Sequence, residues 1–336
     1  MKRIPLIVTL LLISAIALFL VLRKNFTKPS IDRFAIKDTA AVSKIFITDK
    51  KGHAINLSKQ ADGSWLVNDK FQAQPSKIEL LLETMYRLKI KAPVGITERE
   101  DVIRLMAANA IKVMVYNDDK LMITYYVGNA TADYLGTYVF MEDEEDPQIV
   151  EIPGFNGYIT PRYIVEEIDW RTRAYYRFNP NELSEIEINY PNNPNASFCI
   201  TLSSGNELKL FTSPAEGKTE ITDTDPINLK TYVNLFSRLD IEGYDTRRDK
   251  HFADSLKKEV PYCSITIKDN KGKIHKSYLY QKPFAEGKEG FDANGNPTHL
   301  DPERFFLLSA EDDLVRLVQT RIFGRILQSR QFFQKS

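Results

Sequence analysis

This chain of 336 residues is short of the residue types that most often carry chemistry: it holds only the cysteines Cys199 and Cys263 and the histidines His53, His251, His275 and His299. So few cysteines exclude a disulfide framework. They are either one pair in an oxidising compartment or small buried hydrophobes. The histidines lack the i, i+4 spacing of a helical metal site. Net charge is missing too, because 45 basic and 45 acidic residues cancel. That balance leaves no global field to draw nucleic acid or an anionic membrane surface. G-x-G-x-x-G, G-x-S-x-G, H-E-x-x-H and C-x-x-C are all absent. Gly217-Lys218-Thr219 matches the end of a phosphate-binding loop, but Thr212 stands where that loop needs its first glycine. The contiguous acids Glu142 to Asp146 splay outward and lack the interleaved small residues of a calcium loop, so they predict a solvated loop. No catalytic residue, metal ligand or cofactor is expected.

Long apolar runs are absent as well, with one exception. Ile4 to Leu22 carries no charge, with Lys2 and Arg3 before it and Arg23 and Lys24 after it. As a helix it spans roughly 28 Å, close to the hydrocarbon core of a bilayer. The alternative is a cleaved signal peptide, with Ala15-Ile16-Ala17 as its processing site. That site lies inside the run, so an uncleaved signal anchor over residues 1–24 is the expectation. The flanking charges nearly balance, and the very short leading tail favours a bacterial inner-membrane anchor with a periplasmic body. Cys199 and Cys263 lie far from the run, which excludes a lipoprotein anchor.

After a stalk over residues 25–41, matched spacings divide the body into two repeat units, 42–180 and 181–336. Pro75 precedes Ile78, Leu81, Leu82, Met85 and Leu88, while Pro226 precedes Leu229, Tyr232, Val233, Phe236 and Leu239 at the same offset. Both are single apolar faces of a helix. Val113 to Lys120 falls on Ser264 to Lys271, each the first arm of a hairpin turning at an Asp. Thr172-Arg173-Ala174-Tyr175-Tyr176-Arg177 and Thr320-Arg321-Ile322-Phe323-Gly324-Arg325 share a closing pattern. Each unit is expected to end in a helix, Ile159 to Arg173 in the first and Arg316 to Lys335 in the second. The predicted class is α+β: an N-terminal transmembrane helix followed by two tandem, duplicated units of antiparallel sheet with packed helices.

Gly63, Trp65, Val67 and Asn68, the following helix from Ile78 to Ile90, and Gly128 with Tyr138-Val139 form an order of features. This order resembles the envelope family catalogued as domain of unknown function 4340. The resemblance covers most of the first unit. It implies an accessory role beside ABC-type transporter components of the gliding kind, and no known activity.

Two functional expectations follow. One is a non-enzymatic, single-pass envelope protein that partners a membrane transport or surface-assembly complex and uses no nucleic acid. The other is a module that binds an envelope ligand or polymer in a groove between the units. The candidate contacts are Tyr134, Tyr138, Tyr175, Tyr176, Arg321, Arg325 and Arg330.

Overall fold

The computed structural model describes Ser14 and residues 32–335 apart from 143, 204–206, 286, 293 and 294. The expected anchor at Ile4 to Leu22 and the stalk residues 25–31 lie outside the described residues. The rest of the expected stalk, 32–41, is no linker: Phe34 and Ile36 are buried in the core of the first unit, and Ile36 N donates to Met85 O. Among the described residues no helix is long and apolar enough to cross a membrane.

The chain separates into two compact units, Met1–Thr172 and Arg173–Ser336. The boundary lies a few residues before the one expected at 180. Thr172 N donates to Gln72 O in unit 1, whereas Ala174–Tyr176 pairs with Leu239–Asp240 in unit 2. The Asn179-Pro180-Asn181 turn therefore falls inside unit 2, where Asn179 caps a single 3-10 turn.

Unit 1 runs β1 (Lys44–Thr48), β2 (Ala54–Lys59), β3 (Trp65–Val67), β4 (Phe71–Gln72), α1 (Pro75–Arg87), β5 (Lys89–Pro93), α2 (Arg99–Asn109), β6 (Ile111–Asn117), β7 (Lys120–Ala130), β8 (Thr137–Met141) and β9 (Gln148–Glu151). Its sheet has the order β4-β3-β2-β1-β6-β7-β8-β9-β5. Unit 2 runs β10 (Leu183–Asn189), β11 (Phe198–Leu202), β12 (Leu208–Thr212), β13 (Glu220–Ile221), α3 (Pro226–Leu235), β14 (Gly243–Tyr244), α4 (Lys250–Leu256), β15 (Cys263–Asp269), β16 (Ile274–Pro283), β17 (Leu300–Ser309) and β18 (Arg316–Gln319). Its sheet has the order β13-β12-β11-β10-β15-β16-β17-β18-β14, so the two nine-stranded sheets share one strand order. Every ladder within them is antiparallel.

The α+β expectation is corrected by this count of strands. The protein is mostly β, with 38% of its described residues in strands. Neither expected terminal helix forms. Over Ile159 to Arg173 there is one 3-10 turn at Thr160–Arg162, where Pro161 lacks an amide donor, and one α turn at Glu167–Trp170. In the second unit Arg316–Gln319 alternates buried and half-buried residues and joins the sheet as β18. Only Thr320–Phe323 is helical beyond it, followed by a 3-10 turn at Arg330–Phe333. Phe323 in that helical turn, Ile326 just after it and Phe333 in the 3-10 turn are fully buried, so they reach the core without one continuous helix.

Alternation along the strands assigns the faces. Ile45, Ile47, Val113, Val115, Tyr125 and Val127 point into the main core of unit 1, where α1 adds Ile78, Leu81 and Met85. Phe34, Tyr163 and Trp170 complete this core, with Tyr125 and Tyr163 edge to face at 6.1 Å. In unit 2, Asp225 caps α3 through the amides of Ile227 and Asn228, and Pro226 supplies the first helical residue. Its Leu229, Tyr232 and Val233 pack onto Ile186, Ile188, Phe198, Ile265 and Ile267. Each large apolar side chain buried this way contributes about 1.5–3 kcal/mol. Cys263 faces this core, whereas Cys199 sits between the core residues Phe198 and Ile200 and points the opposite way. The two thiols are free and lie on opposite faces of one sheet, so they cannot pair. Burial pushes the Cys199 thiol up to about 12, which leaves it unreactive at neutral pH.

Candidate functional site

The sequence-predicted contacts do not converge. Tyr176 is 2% exposed in the core of unit 2 and donates its hydroxyl to Ser277 Oγ at 3.0 Å. Tyr175 lies against it with ring centroids 4.7 Å apart, its own hydroxyl 2.8 Å from the same Ser277 Oγ. Both rings are core members and present no platform. Arg330 pairs with Glu216 at 2.8 Å, while Arg321 and Arg325 are exposed. Arg321 shares a shallow polar recess with Glu303, Arg304 and Thr320. Tyr134 is 64% exposed on a loop of unit 1, its ring 5.8 Å from that of Tyr158, and Tyr138 is half-buried on β8.

Other sequence features resolve into structure. Trp170 is buried and donates its indole N–H to Ile164 O. His53 meets Asp49 at 2.8 Å and His275 meets Glu311 at 3.1 Å. Within the acidic run, Glu142 pairs with Lys112, Glu144 with Arg33 and Asp146 with Arg99. Lys218, in the loop-like Gly217-Lys218-Thr219, pairs with Glu185 at 2.5 Å. Among the described residues no group of three or more His, Cys, Asp or Glu could hold a metal ion.

Tyr138 leads to the surface that sequence reasoning missed. Tyr126, Tyr138 and Phe140 alternate with the core residues of β7 and β8, so they face the far side of the sheet. There α2 lies across them with Val102 and Met106 as its buried side chains. Gly128 makes this approach possible. A Cβ at that position would sit 2.9 Å from Met106 Cγ and 3.1 Å from Tyr138 O.

A helix with so few buried residues leaves space on both flanks. One hollow, of about 460 Å³, lies among Leu105 and Asp101 of α2, Glu98 before it, Tyr138, Lys91 and the Thr131–Asp133 segment. Leu105 is 50% exposed at its edge, and Tyr134 and Leu135 are exposed on the same loop as Thr131. Thr131 Oγ1 donates to the Asp133 carboxylate at 2.6 Å and lowers its pKa, so that acid is charged at neutral pH. The other hollow, of about 270 Å³, has Tyr126 and Phe140 as its floor, Ile103, Met106, Ala107 and Ala110 as its wall, and Lys50 and Glu142 at its mouth. Apolar spacing did not mark α2 as sparsely packed. The small residues Ala107, Ala110 and Gly128 were the available signal.

Unit 2 finishes the equivalent face differently. Register pairs Ile47 with Val113 and Val113 with Tyr125 in unit 1, and Ile188 with Ile265 and Ile265 with Ser277 in unit 2. Counting on from there, Tyr280 stands where unit 1 has Gly128. Through the next ladder, Phe306 matches Tyr138 and Leu308 matches Phe140. Tyr280, Phe306 and Leu308 are all buried with Ala253 and Leu256 of α4, and Phe252 packs on Phe306 with centroids 5.3 Å apart.

The chain matches no protein-family model, no curated protein and no solved structure.

Proposed function

We propose that this is a non-enzymatic, single-pass envelope protein that serves a membrane transport or surface-assembly complex as an accessory subunit, with the α2 flank of unit 1 as its contact surface. The observation that carries this reading is the larger hollow, where half-exposed Leu105 and exposed Tyr134 and Leu135 stand beside a recess of about 460 Å³. Protein interfaces concentrate their energy where an apolar or aromatic anchor fills such a recess. Glu98, Asp101 and Asp133 outnumber Lys91 around it. Asp101 is partnered by Arg104 and Asp133 lies in the field of Lys91, so Glu98 remains to meet a cation on the incoming surface. The partner segment is therefore apolar with a Lys or Arg beside its anchor. The resemblance to the domain of unknown function 4340 family agrees with this role, and the Ile4 to Leu22 run would hold the body at the membrane.

The test places a photo-crosslinking residue at Tyr134 in the full-length chain in its own cells, followed by purification and mass spectrometry. One membrane-complex component captured at Tyr134, lost in Leu105→Glu and not captured from a crosslinker at exposed Ile274, is the expected result. Capture that is indifferent to Leu105→Glu, or equal from Ile274, removes the reading.

A further inference from the structure

We infer that the smaller hollow beside α2 in unit 1 is a binding site for a small apolar carboxylate, with the ring floor of Tyr126 and Phe140 taking the apolar body and Lys50 taking the charge. This does not rest on the partner proposal, which uses the opposite flank of the helix.

Size comes first. The hollow measures about 270 Å³, just below the ~300–1,000 Å³ range of ordinary ligand clefts. It therefore suits a fused pair of rings or a short acyl chain. Shape comes from the floor, where the Tyr126 and Phe140 rings lie 6.3 Å apart and tilted at 58°. Met106 adds a polarisable thioether to the wall, a good partner for an aromatic edge.

Charge supplies the selectivity. Glu142 is already satisfied, since it accepts from Lys112 at 2.7 Å and from the Tyr126 hydroxyl at 3.1 Å, and the Lys112 bond lowers its pKa. Lys50, with its ammonium 5.8 Å from the Tyr126 ring, has no carboxylate partner among the described residues. The mouth thus carries one cation in excess over an apolar floor. A carboxylate placed there pairs with Lys50 at the edge of a low-dielectric surface, where the attraction exceeds its value in open water. In unit 2 the positions matched to Tyr126 and Phe140 are Tyr278 and Leu308, which pack with Phe252, Ala253 and Leu256 of α4, so that unit serves as an internal control.

The experiment uses the full-length chain in detergent with ¹³C-methyl methionine, titrated with 2-naphthoate and, separately, with 2-naphthylmethylamine. Naphthoate is expected to move the Met106 methyl signal saturably. Ala107→Phe, at an exposed helix position where the new ring fills the hollow, is expected to abolish the shift, and Lys50→Glu to weaken it about tenfold. The ammonium analogue should not saturate. An unmoved Met106 signal overturns the site, and equal binding of the two analogues, or unchanged affinity in Lys50→Glu, overturns the assignment to carboxylates.

Discussion

The two units share a strand order and differ in how they close the face under the second helix. In unit 1 an eleven-residue helix rests on Gly128 and leaves hollows on both flanks, whereas in unit 2 a helix of seven residues seals a face built from Tyr280, Phe306 and Leu308. The longer helix is the less well packed one. Helix length therefore says little about burial here. The size of the side chains on alternate positions of two neighbouring strands decides it, because they set how closely a helix can approach and what fills the remaining volume.

The comparison can be broken first by truncating matched rings. Phe306→Ala removes a side chain 1% exposed and should cost unit 2 about 3–5 kcal/mol. Tyr138→Ala, at the matched half-buried position, should cost unit 1 less than about half as much. Urea unfolding of the two variants followed by near-ultraviolet dichroism measures both, and equal losses would mean that the two faces are equally packed.

Alkaline unfolding sharpens the comparison next. Burial raises the hydroxyls of Tyr125 and Tyr163 in unit 1, the latter to about 12, and those of Tyr175, Tyr176, Tyr190 and Tyr232 in unit 2. Folded values above unfolded ones mean that the unfolded chain releases these protons first. The stability is whole below the ordinary tyrosine value near pH 10 and is lost as pH rises beyond it. At about pH 11 each such group costs up to about 1.4 kcal/mol, so unit 2 should lose roughly twice as much as unit 1. Protease susceptibility between pH 9 and 11.5, mapped by mass spectrometry, shows which unit opens first; unit 1 opening first would contradict the assignment.

Gly128→Ala should cost about 1–3 kcal/mol, because the added methyl meets Met106 and a fixed backbone oxygen. Met106→Ala combined with it should recover part of that loss, so a double-mutant cycle by chemical denaturation should give a coupling above about 0.5 kcal/mol. Strict additivity would mean that the helix shifts without strain. The smallest effect is expected at the exposed arginines, where Arg321→Ala and Arg325→Ala should each stay within about 0.5 kcal/mol in the same assay. A larger loss at either would reveal a structural role in the fold.

Much of the local structure was legible. The apolar stripe after Pro75 became α1 and the one after Pro226 became α3, although Leu88 and Phe236 lie just past the helix ends, Ile90, expected to end the first helix, lies in β5, and Leu239 lies in a short strand. The Asp-containing hairpins formed as β6 with β7 and β15 with β16. The candidate site was not legible: Tyr134 and Tyr138 border one hollow region, but Tyr175 and Tyr176 are locked on Ser277, a residue more than a hundred positions away. Arg316, expected on a helix, is a 6% exposed strand residue with its guanidinium on Asp312 and 5.5 Å from the Tyr175 and Tyr244 rings.

What the sequence determined alone is whatever depends on neighbours within about four residues: the helix stripes, the proline and aspartate helix starts, the hairpin turns, the charge balance and the apolar run at Ile4 to Leu22. What only the tertiary structure decided is which strands lie side by side, which face of each sheet the helices cover, and where the sheet is left underfilled. Those depend on ladders between residues far apart in the chain, such as Ile45 with Val115, and on the volumes that meet when they pair. A linear pattern records that Tyr138 and Gly128 exist; only the packed sheet brings them under one helix.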